Sequence, residues 1–283
     1  MGQNSKIEWT HHTFNPWWGC VKVSKACDHC YAETWAKRVG ADVWGNKAPR
    51  RFFTDNHWAQ PLRWNKVAAE EGERKRVFCA SMADVFEKRG DLDASRERLW
   101  KLIEATPYLD WLLLTKRPQY IQKMAPWGDA WPHNVWIGTT VESQACARQR
   151  LKHLLKIPAT VRFLSCEPLL EKLDLIELAS EEPYDIDWII AGVESGPHSR
   201  PMQPGWVETL RLQSEEMQAA FHFKQWGHWS PVEDPTMRIH IEAEGVNGKP
   251  ILMEPVGKKK GGRVFLGRTW DGIPSLEKVQ KVA

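Results

Sequence analysis

The sequence lacks an apolar run long enough to cross a membrane. Its longest apolar stretches, Trp111–Leu114 and Trp188–Ala191, fall far short of the ~20 residues that a membrane helix needs. The N-terminus is polar and has no apolar core of a secretory signal. The formal net charge is only +3, so no strong basic field indicates a nucleic-acid or membrane partner. We therefore expect a cytoplasmic protein that does not bind membranes.

Disulfide bonds are not expected either, although the chain has six cysteines. Three of them crowd into Cys20–Cys30, whereas Cys79, Cys146 and Cys166 are scattered along the chain. In a long chain without a secretory signal, such cysteines serve as ligands or in catalysis more often than in disulfides.

The composition suits one large domain. The chain has 283 residues, of which 42% are hydrophobic and 27% charged, and single α/β barrels are commonly this size. The 17 tryptophans are unusual. Several stand beside polar or basic residues, where their rings are suited to stacking on a base or an adenine; these are Trp17, Trp18, Trp226 and Trp229. Packing in the core is the commoner use of tryptophan and stays open as the alternative.

Short β-rich segments recur along the chain at roughly the spacing of a strand-plus-helix unit. Several are almost continuously apolar, as parallel strands buried on both faces are. The predicted strands are Val77–Ser81, Trp111–Thr115, Val135–Thr140, Val161–Ser165, Trp188–Gly192 and Phe221–Gln225; the predicted helices are Asp93–Ala105, Ser143–Leu155, Trp206–Ala219 and one that opens near Tyr31. This alternation predicts an α/β fold with a parallel sheet, open or closed, and we expect a partial or complete (βα) barrel.

Two segments depart from the repeated pattern. Residues 41–75 contain no strand candidate, so we predict an insertion that covers one rim at Ala41–Trp64, followed by a charged turn of helix or loop at Lys66–Lys75. Residues 231–283 are rich in proline, glycine and charge and are predicted to form an extension packed on a barrel domain of residues 1–230. Within the extension, Gly257–Arg263 is predicted to be a basic hairpin tip or a flexible loop.

Polar or ionisable residues follow each predicted strand. Active sites of α/β barrels and open sheets lie at the carboxyl ends of the strands, so these residues are expected to ring a pocket. The charged members of the ring are Asp84, Lys116, Glu142, Glu167, Glu194 and Lys224. Each has an ordinary alternative as a helix cap, a turn residue or a surface charge.

The sharpest motif is a loop with three cysteines, Cys20, Cys27 and Cys30. Three thiolates on one 4Fe–4S cluster leave one iron without a protein ligand, and that iron can accept a small molecule. A zinc site with His11, His12 or His29 as fourth ligand is the competing interpretation, and cysteines without a metal are another. Zinc sites usually comprise two separated ligand pairs, and no second pair is evident in the sequence.

A three-cysteine loop after the first strand of a βα barrel resembles the radical S-adenosylmethionine (SAM) superfamily. Further motifs resemble a phage- and bacteria-associated family that is classed near radical SAM proteins and is distantly similar to spore photoproduct lyase. These motifs are Lys6–Thr10, Phe14–Pro16, Cys27–Glu33, Leu114–Pro118, Ser165–Leu170, Glu194–Gly196 with Arg200–Met202, and Phe223–Gly227. The superfamily pattern has three residues between the first two cysteines and this chain has six, which costs only about 0.5 kcal/mol of chain entropy.

The resemblance implies a 4Fe–4S cluster on Cys20, Cys27 and Cys30, reductive cleavage of SAM, and a reductase or a flavodoxin-like protein as electron donor. It further implies SAM-binding residues at the strand ends, with Asp84 for the ammonium, Lys116 for the carboxylate, and Thr140 and Glu142 for the ribose. The full predicted set of cofactor-binding residues is Ser81, Asp84, Lys116, Thr140, Glu142 and Glu194.

Five further residues are predicted to bind the substrate at the mouth of the site, namely Arg117, Glu167, Arg200, Lys224 and Trp226. Arginine, lysine and tryptophan suit a phosphate and a base, so a nucleic acid or nucleotide is the expected substrate. The resemblance to spore photoproduct lyase, which uses a cysteine thiol as a hydrogen-atom donor, implies this role for Cys166, with inert packing as its alternative. A peptide or small metabolite is the second candidate substrate class, and a non-catalytic zinc-stabilised binding protein is the third interpretation.

Overall fold

The computed structural model describes residues 2–179, 185–194, 196, 198–234, 236 and 239–275. Parts of the sequence-based predictions fall outside this range. They are Ser195, in the middle of the Glu194–Gly196 motif, residues 1, 180–184 and 197 of the predicted barrel domain, and residues 235, 237, 238 and 276–283 of the predicted C-terminal extension.

Strands and helices alternate along the described chain. The strands are β1 (His12–Thr13), β2 (Trp17–Trp18), β3 (Arg51–Phe52), β4 (Lys75–Cys79), β5 (Leu109–Thr115), β6 (Val135–Thr140), β7 (Val161–Cys166), β8 (Trp188–Ala191), β9 (Ala220–Phe223), β10 (Ser230–Val232), β11 (Ile241–Glu244) and β12 (Pro250–Glu254). The helices are α1 (Tyr31–Arg38), α2 (Asp55–Trp58), α3 (Gln60–Glu71), α4 (Asp93–Glu104), α5 (Ile121–Met124), α6 (Gln144–Leu154), α7 (Leu175–Ala179), α8 (Pro204–Glu216) and α9 (Lys258–Gly261). Short 3-10 turns occur at Lys25–Cys27, Gly90–Leu92, Pro118–Tyr120 and Val246–Gly248.

Seven parallel strands form the main sheet, in the order β1-β4-β5-β6-β7-β8-β9. From β4 to β9 the spatial order follows the chain order, as is usual for consecutive strand–helix–strand units. The predicted α/β class with a partial barrel of parallel strands is confirmed. All six predicted strands exist within a few residues of their predicted bounds, as do the four predicted helices.

The chain divides into two compact units. Unit 1 comprises Met1–Val23, Ala32–Thr139 and Arg150–Arg162; unit 2 comprises Ser24–Tyr31, Thr140–Gln149 and Phe163–Ala283. The division at residue 230 that the sequence suggested stays a prediction.

The core of unit 1 lies against strand β5. Its central residues are apolar and buried on both faces, which is why this segment reads as a nearly continuous hydrophobic run. Leu99 and Ile103 of helix α4 are fully buried, so this helix packs its apolar stripe inward. The amide of Asn134 donates hydrogen bonds of 3.1 Å to the carbonyls of Ile103, Thr106 and Leu109, and thereby ties the end of α4 to the start of β5.

The prediction that residues 41–75 contain no strand is wrong. Strand β3 pairs in antiparallel register with β2, placing Arg51 opposite Trp18. The strand is two residues long and both residues are exposed, so it has no alternating pattern for the sequence to reveal. The predicted charged turn is part of a full helix, α3, which has a proline in its first turn and ends at Gly72 in the left-handed conformation.

Unit 2 contains β8, β9, most of β7 and a separate antiparallel sheet of order β10-β12-β11. Helix α8 buries Val207 and Leu210. Strand β11 of the second sheet contacts this helix, and the backbone N–H of Glu244 donates at 2.8 Å to the side chain of Gln203, the residue before the helix. The predicted basic loop at Gly257–Arg263 contains the short helix α9. Within the described residues, no helix is long and apolar enough to cross a membrane.

Candidate functional site

In unit 1, the segment that carries Cys20 begins beside the chain that follows β4. The N–H of Gly19 donates to the carbonyl of Met82 at 3.0 Å, and Gly19 forms a parallel bridge with Ala83. Gly19 has a φ of +116°, and a Cβ at this position would lie 2.3 Å from the carbonyl oxygen of Val43. Only glycine fits both the backbone conformation and the close approach, so Gly19 fixes where the cysteine segment leaves the β4 edge.

Asp84 is the hub of the polar residues in unit 1. Its carboxylate accepts hydrogen bonds from Thr115 Oγ1 (2.7 Å), the N–H of Lys116 (3.1 Å), the N–H of Phe86 (3.0 Å) and Arg117 Nη1 (2.8 Å). The side chain is buried, and a buried carboxylate with this many donors is well compensated for its lost hydration. These contacts join the end of β4 to the end of β5.

Arg117 connects this hub to the cysteine segment. Its Nη1 lies 3.6 Å from the sulfur of Cys20, and its Nη2 donates to the carbonyl of Val21 at 2.8 Å. Burial lowers the pKa of Arg117, but the charges and hydrogen bonds of Asp84 and Cys20 together outweigh it and raise that pKa above its ordinary value. Burial and the nearby Asp84 carboxylate raise the pKa of the Cys20 thiol to about 12, against the opposing effect of Arg117.

Sequence reasoning assigned no role to Asn15, which organises the neighbouring backbone. Its amide nitrogen donates to Ser81 Oγ at 3.0 Å, and its oxygen accepts from the N–H of Met82 at 2.7 Å. The only signal was its place in the Phe14–Pro16 motif. Ser81, a predicted cofactor-binding residue, is therefore hydrogen-bonded to Asn15. Lys116, another predicted cofactor-binding residue, is half-buried, and its backbone N–H donates to Asp84.

In unit 2, Cys27 and Cys30 belong to a segment that is tied to the end of β8. Glu194 follows this strand, and its Oε2 lies 3.0 Å from His29 Nδ1. The same oxygen accepts from the N–H of Arg200 at 2.9 Å and from Arg200 Nε at 3.1 Å. Burial raises the pKa of Glu194, but the hydrogen bonds from Arg200 and His29 outweigh it and hold that pKa below the ordinary value.

Arg200 also reaches the cysteine segment directly. Its Nη2 donates to the carbonyl of Lys25 at 2.8 Å, and its Nη1 lies 3.7 Å from a carboxylate oxygen of Asp28. Glu194 and Arg200, which the sequence assigned to cofactor and substrate, are thus bonded to each other and to the segment of Cys27 and Cys30.

A second ion pair of unit 2 joins the ends of β7 and β9. Lys224 Nζ lies 2.5 Å from Glu167 Oε1, and each side chain is 17% exposed. A Cβ on Gly192 would lie 3.3 Å from Lys224 Cβ and 3.5 Å from Glu167 Cδ, so the absence of a side chain there leaves room for the pair. Glu167 and Lys224, two of the five predicted substrate-binding residues, therefore lie together at the ends of their strands.

The remaining predicted residues of unit 2 are buried. Thr140, Glu142 and Cys166 are each at most 1% exposed. Burial, with a smaller contribution from Glu142, raises the pKa of the Cys166 thiol. Trp226 is 2% exposed and its Nε1–H donates to the carbonyl of Val264 at 2.8 Å, so in this structure its ring packs in the core. The roles predicted for these residues stay predictions.

The six cysteines are free of disulfides. Within the part of the chain that the structure describes, no group of three or more histidine, cysteine, aspartate or glutamate side chains is arranged to hold a metal ion. A cubane cluster differs from a single ion because each thiolate binds a different iron, so its three sulfurs need not converge on one point.

Comparison with solved structures finds spore photoproduct lyase. The enzyme complexed with dinucleoside spore photoproduct has a TM-score of 0.49 and 15% identity, covering 89% of this chain and 70% of that chain. A mutant with bound AdoMet and dinucleoside spore photoproduct gives a TM-score of 0.47 and 14% identity over the same shares of the two chains. Similarity this low transfers no residue and no activity to this chain. No curated protein matches the sequence.

A family model matches nearly the whole chain, from residue 4 to residue 274. The match includes both cysteine-bearing segments and the strand ends that hold them. The chain belongs to the family described as protein of unknown function DUF5131.

Proposed function

We propose that this protein is an iron–sulfur enzyme of the radical SAM type, in which Cys20, Cys27 and Cys30 hold a 4Fe–4S cluster and the substrate is a nucleic acid or nucleotide. One observation carries the proposal. Each cysteine-bearing segment is bonded, within its own unit, to an arginine that pairs with a buried carboxylate following a parallel strand. In folds of this kind the carboxyl ends of the strands are where cofactors and substrates bind.

The donor set fits an iron–sulfur cluster. All three residues are thiols without disulfide partners, and thiolates are the usual protein ligands of such clusters. Arg117 Nη1 donates to the Cys20 sulfur, and cluster thiolates accept hydrogen bonds of this kind from neighbouring side chains. When bound, the cluster supplies the electron that cleaves SAM reductively, drawn from a reductase or a flavodoxin-like donor.

The residues of the chain would then orient SAM and exclude water. Lys116 is half-buried beside the Asp84 hub, and its ammonium suits the methionine carboxylate. Thr140 and Glu142 are candidates for the ribose. Asp84 already accepts four hydrogen bonds, so a methionine ammonium reaches it only by displacing one of these donors.

The substrate class is supported by an exposed surface next to Cys20. The guanidinium of Arg51 lies 4.8 Å from the centre of the Trp18 ring, and both Arg51 and Phe52 are exposed. Aromatic rings interleaved with arginine suit stacking on bases and contact with phosphates. Arg117, Arg200 and Lys224 are each paired with a carboxylate, so this exposed surface is the stronger support.

Anaerobic reconstitution with iron and sulfide tests the cofactor. Wild-type protein is expected to bind about four irons and four sulfides per chain and to produce 5′-deoxyadenosine from SAM under reducing conditions. Cys27→Ala should lose the cluster, whereas Cys146→Ala, a matched change on helix α6, should keep it. Stoichiometric zinc in anaerobically purified protein, with no cluster after reconstitution, would instead support the zinc-stabilised binding protein.

Affinity for single-stranded oligonucleotides, measured against salt, tests the substrate. Binding should weaken as salt rises, because phosphate contacts release counterions. Arg51→Gln should weaken binding, and the exposed Arg98→Gln should not. If the wild-type protein shows no binding at any salt concentration, a peptide or small metabolite becomes the better candidate.

A further inference from the structure

Two arginines make the same set of contacts in the two units. In unit 1, Arg117 bonds to the buried carboxylate of Asp84 with one nitrogen and to the carbonyl of Val21 with another. In unit 2, Arg200 bonds to the buried carboxylate of Glu194 and, through Nη2, to the carbonyl of Lys25. In each unit the carboxylate stands just after a strand, and the carbonyl is one or two residues from a cysteine.

Arginine suits this arrangement for a physical reason. Its planar guanidinium presents several N–H donors in fixed directions, so one side chain can bind a carboxylate and a carbonyl at once. The carboxylate balances the charge, and the remaining donors grip the backbone of the cysteine segment. A lysine ammonium at the same place is a point charge with a flexible stem and does not hold two acceptors in one fixed geometry.

We infer that Arg117 and Arg200 are positioning residues, each of which holds the cysteine segment of its own unit in place before any metal binds. Asp84 and Glu194 fix the two guanidinium groups. This assigns the four residues to the ordering of the cysteine segments, whereas the sequence assigned them to SAM and substrate. The identity of the group that the ordered segments bind rests on the proposed function, whereas the inference that the segments are ordered does not.

Hydrogen exchange of the metal-free, reduced protein tests the inference directly. The amide of Gly19 reports on the first segment, since it donates to Met82. The amides of Cys27 and Asp28 report on the second, since they donate to Ser24 and Lys25 in the 3-10 turn. Losing a hydrogen bond from a charged donor should speed local opening about ten- to hundredfold. Arg117→Lys should therefore speed exchange at Gly19 alone, and Arg200→Lys at Cys27 and Asp28 alone.

Arg98→Lys and Arg148→Lys are the matched controls, one in each unit. Both arginines form exposed ion pairs, with Asp55 and with Glu177, that lie outside the cysteine segments. Neither change should alter exchange at the reporter amides. Arg117 is buried, so a melting curve of each variant checks its folding; should Arg117→Lys fail to fold, the half-exposed Arg200 decides the outcome. Wild-type exchange rates at the reporter amides of folded variants would overturn the inference.

Reconstituted protein supplies a readout that a merely structural ion pair would not move. Arg117 donates to the Cys20 sulfur, and hydrogen bonds to cluster sulfurs influence the reduction potential. Arg117→Lys keeps the charge but loses this directed bond, so the midpoint potential should shift to a more negative value. Arg200 binds the backbone carbonyl of Lys25 and the carboxylate of Asp28, so Arg200→Lys should shift the potential less than Arg117→Lys does.

The two proposals fail in different ways. If the variants exchange as expected but wild-type protein binds no cluster, the positioning role holds and the iron–sulfur function is wrong. If wild-type protein binds a cluster but neither variant alters exchange or potential, the function holds and the positioning role is wrong.

Discussion

At the scale of single residues, burial decides how much the loss of one partner of an ion pair destabilises the protein. Asp84 and Arg117 form an ion pair in which both side chains are less than a tenth exposed. Arg89 and Asp91 form another ion pair a few residues further along the chain, but the Asp91 side chain is half exposed. Buried and exposed pairs differ strongly in the cost of removing one partner, because a buried charge left alone has lost its water as well.

Asp84→Asn should therefore destabilise the protein far more than Asp91→Asn does. The first change leaves the Arg117 guanidinium buried without its counter-charge, at a cost of about 3–5 kcal/mol. The second removes an exposed pair that contributes less than ~1 kcal/mol. Urea unfolding at neutral pH measures both, and equal midpoints for the two variants would contradict this account of the hub.

His12 provides a pH-dependent test in unit 1. Burial, with His11 and Lys75 nearby, lowers the pKa of His12 to about 4. In the unfolded chain a histidine titrates near ~6.5, so between these values the unfolded state binds the proton and the folded state does not. Stability contributed by neutral His12 is therefore complete above the unfolded pKa and declines as the pH falls from about 7 towards 4.

The melting temperature of the wild-type protein should accordingly fall as the pH is lowered from 7.5 to 5. The melting temperature of His12→Asn should fall less steeply over the same range. A difference of about 1 kcal/mol corresponds to ~2–4 °C for a chain of this size. His240 is exposed, so His240→Asn should keep the wild-type profile. Parallel profiles for wild type and His12→Asn would show that His12 does not carry the effect.

At the scale of elements, the sequence predicts most of the main sheet because most residues of its longer strands are buried. Val135–Thr140 is predicted with its observed bounds, since every residue of β6 is buried. Strand β3 has two exposed residues and is stabilised by its pairing with β2, so the sequence shows no alternating apolar pattern that would predict it. Local pattern therefore suffices for buried elements and fails for short exposed ones.

The contact between helix α8 and the second sheet of unit 2 depends on a glycine that no periodicity marks. A Cβ on Gly205 would lie 2.8 Å from Glu244 Cγ and 2.8 Å from the carbonyl oxygen of Gly245. Gly205→Ala should therefore push the sheet from the helix and cost about 1–3 kcal/mol through overcrowding. Hydrogen exchange in β11 and β12 should rise at the same time.

Gly90→Ala is the matched control for this change. A Cβ at Gly90 meets its nearest atom at 4.0 Å, which is ordinary contact, and the backbone there is open to any residue. The substitution should be neutral or stabilise the protein by up to ~1 kcal/mol, because it restricts the unfolded chain. A Gly205→Ala variant as stable as Gly90→Ala would mean that the sheet adapts to the added methyl group.

At the scale of the whole molecule, the sequence predicted a set of strand-end residues but not how they pair with one another. The strand-end rule marked the acids and bases in advance, because parallel strands bring their carboxyl ends to one edge. It placed Asp84 with SAM and Arg117 with the substrate, although the structure bonds them to each other. The two residues are far apart in sequence, and their pairing depends on the direction of each side chain, which no linear pattern encodes.

Binding of the proposed 4Fe–4S cluster should stabilise the fold of the entire chain. A ligand that binds only the folded state stabilises it in proportion to the logarithm of its excess over the dissociation constant, so a tightly held cluster should raise the melting temperature by about 5–10 °C. The metal-free protein should still fold, because the arginine and carboxylate contacts order both cysteine segments without it. Cys27→Ala should abolish the increase on anaerobic reconstitution, and Cys146→Ala should retain it. An increase that survives in Cys27→Ala would place the iron elsewhere in the chain, since removing one of three thiolates leaves too few ligands to hold a cluster.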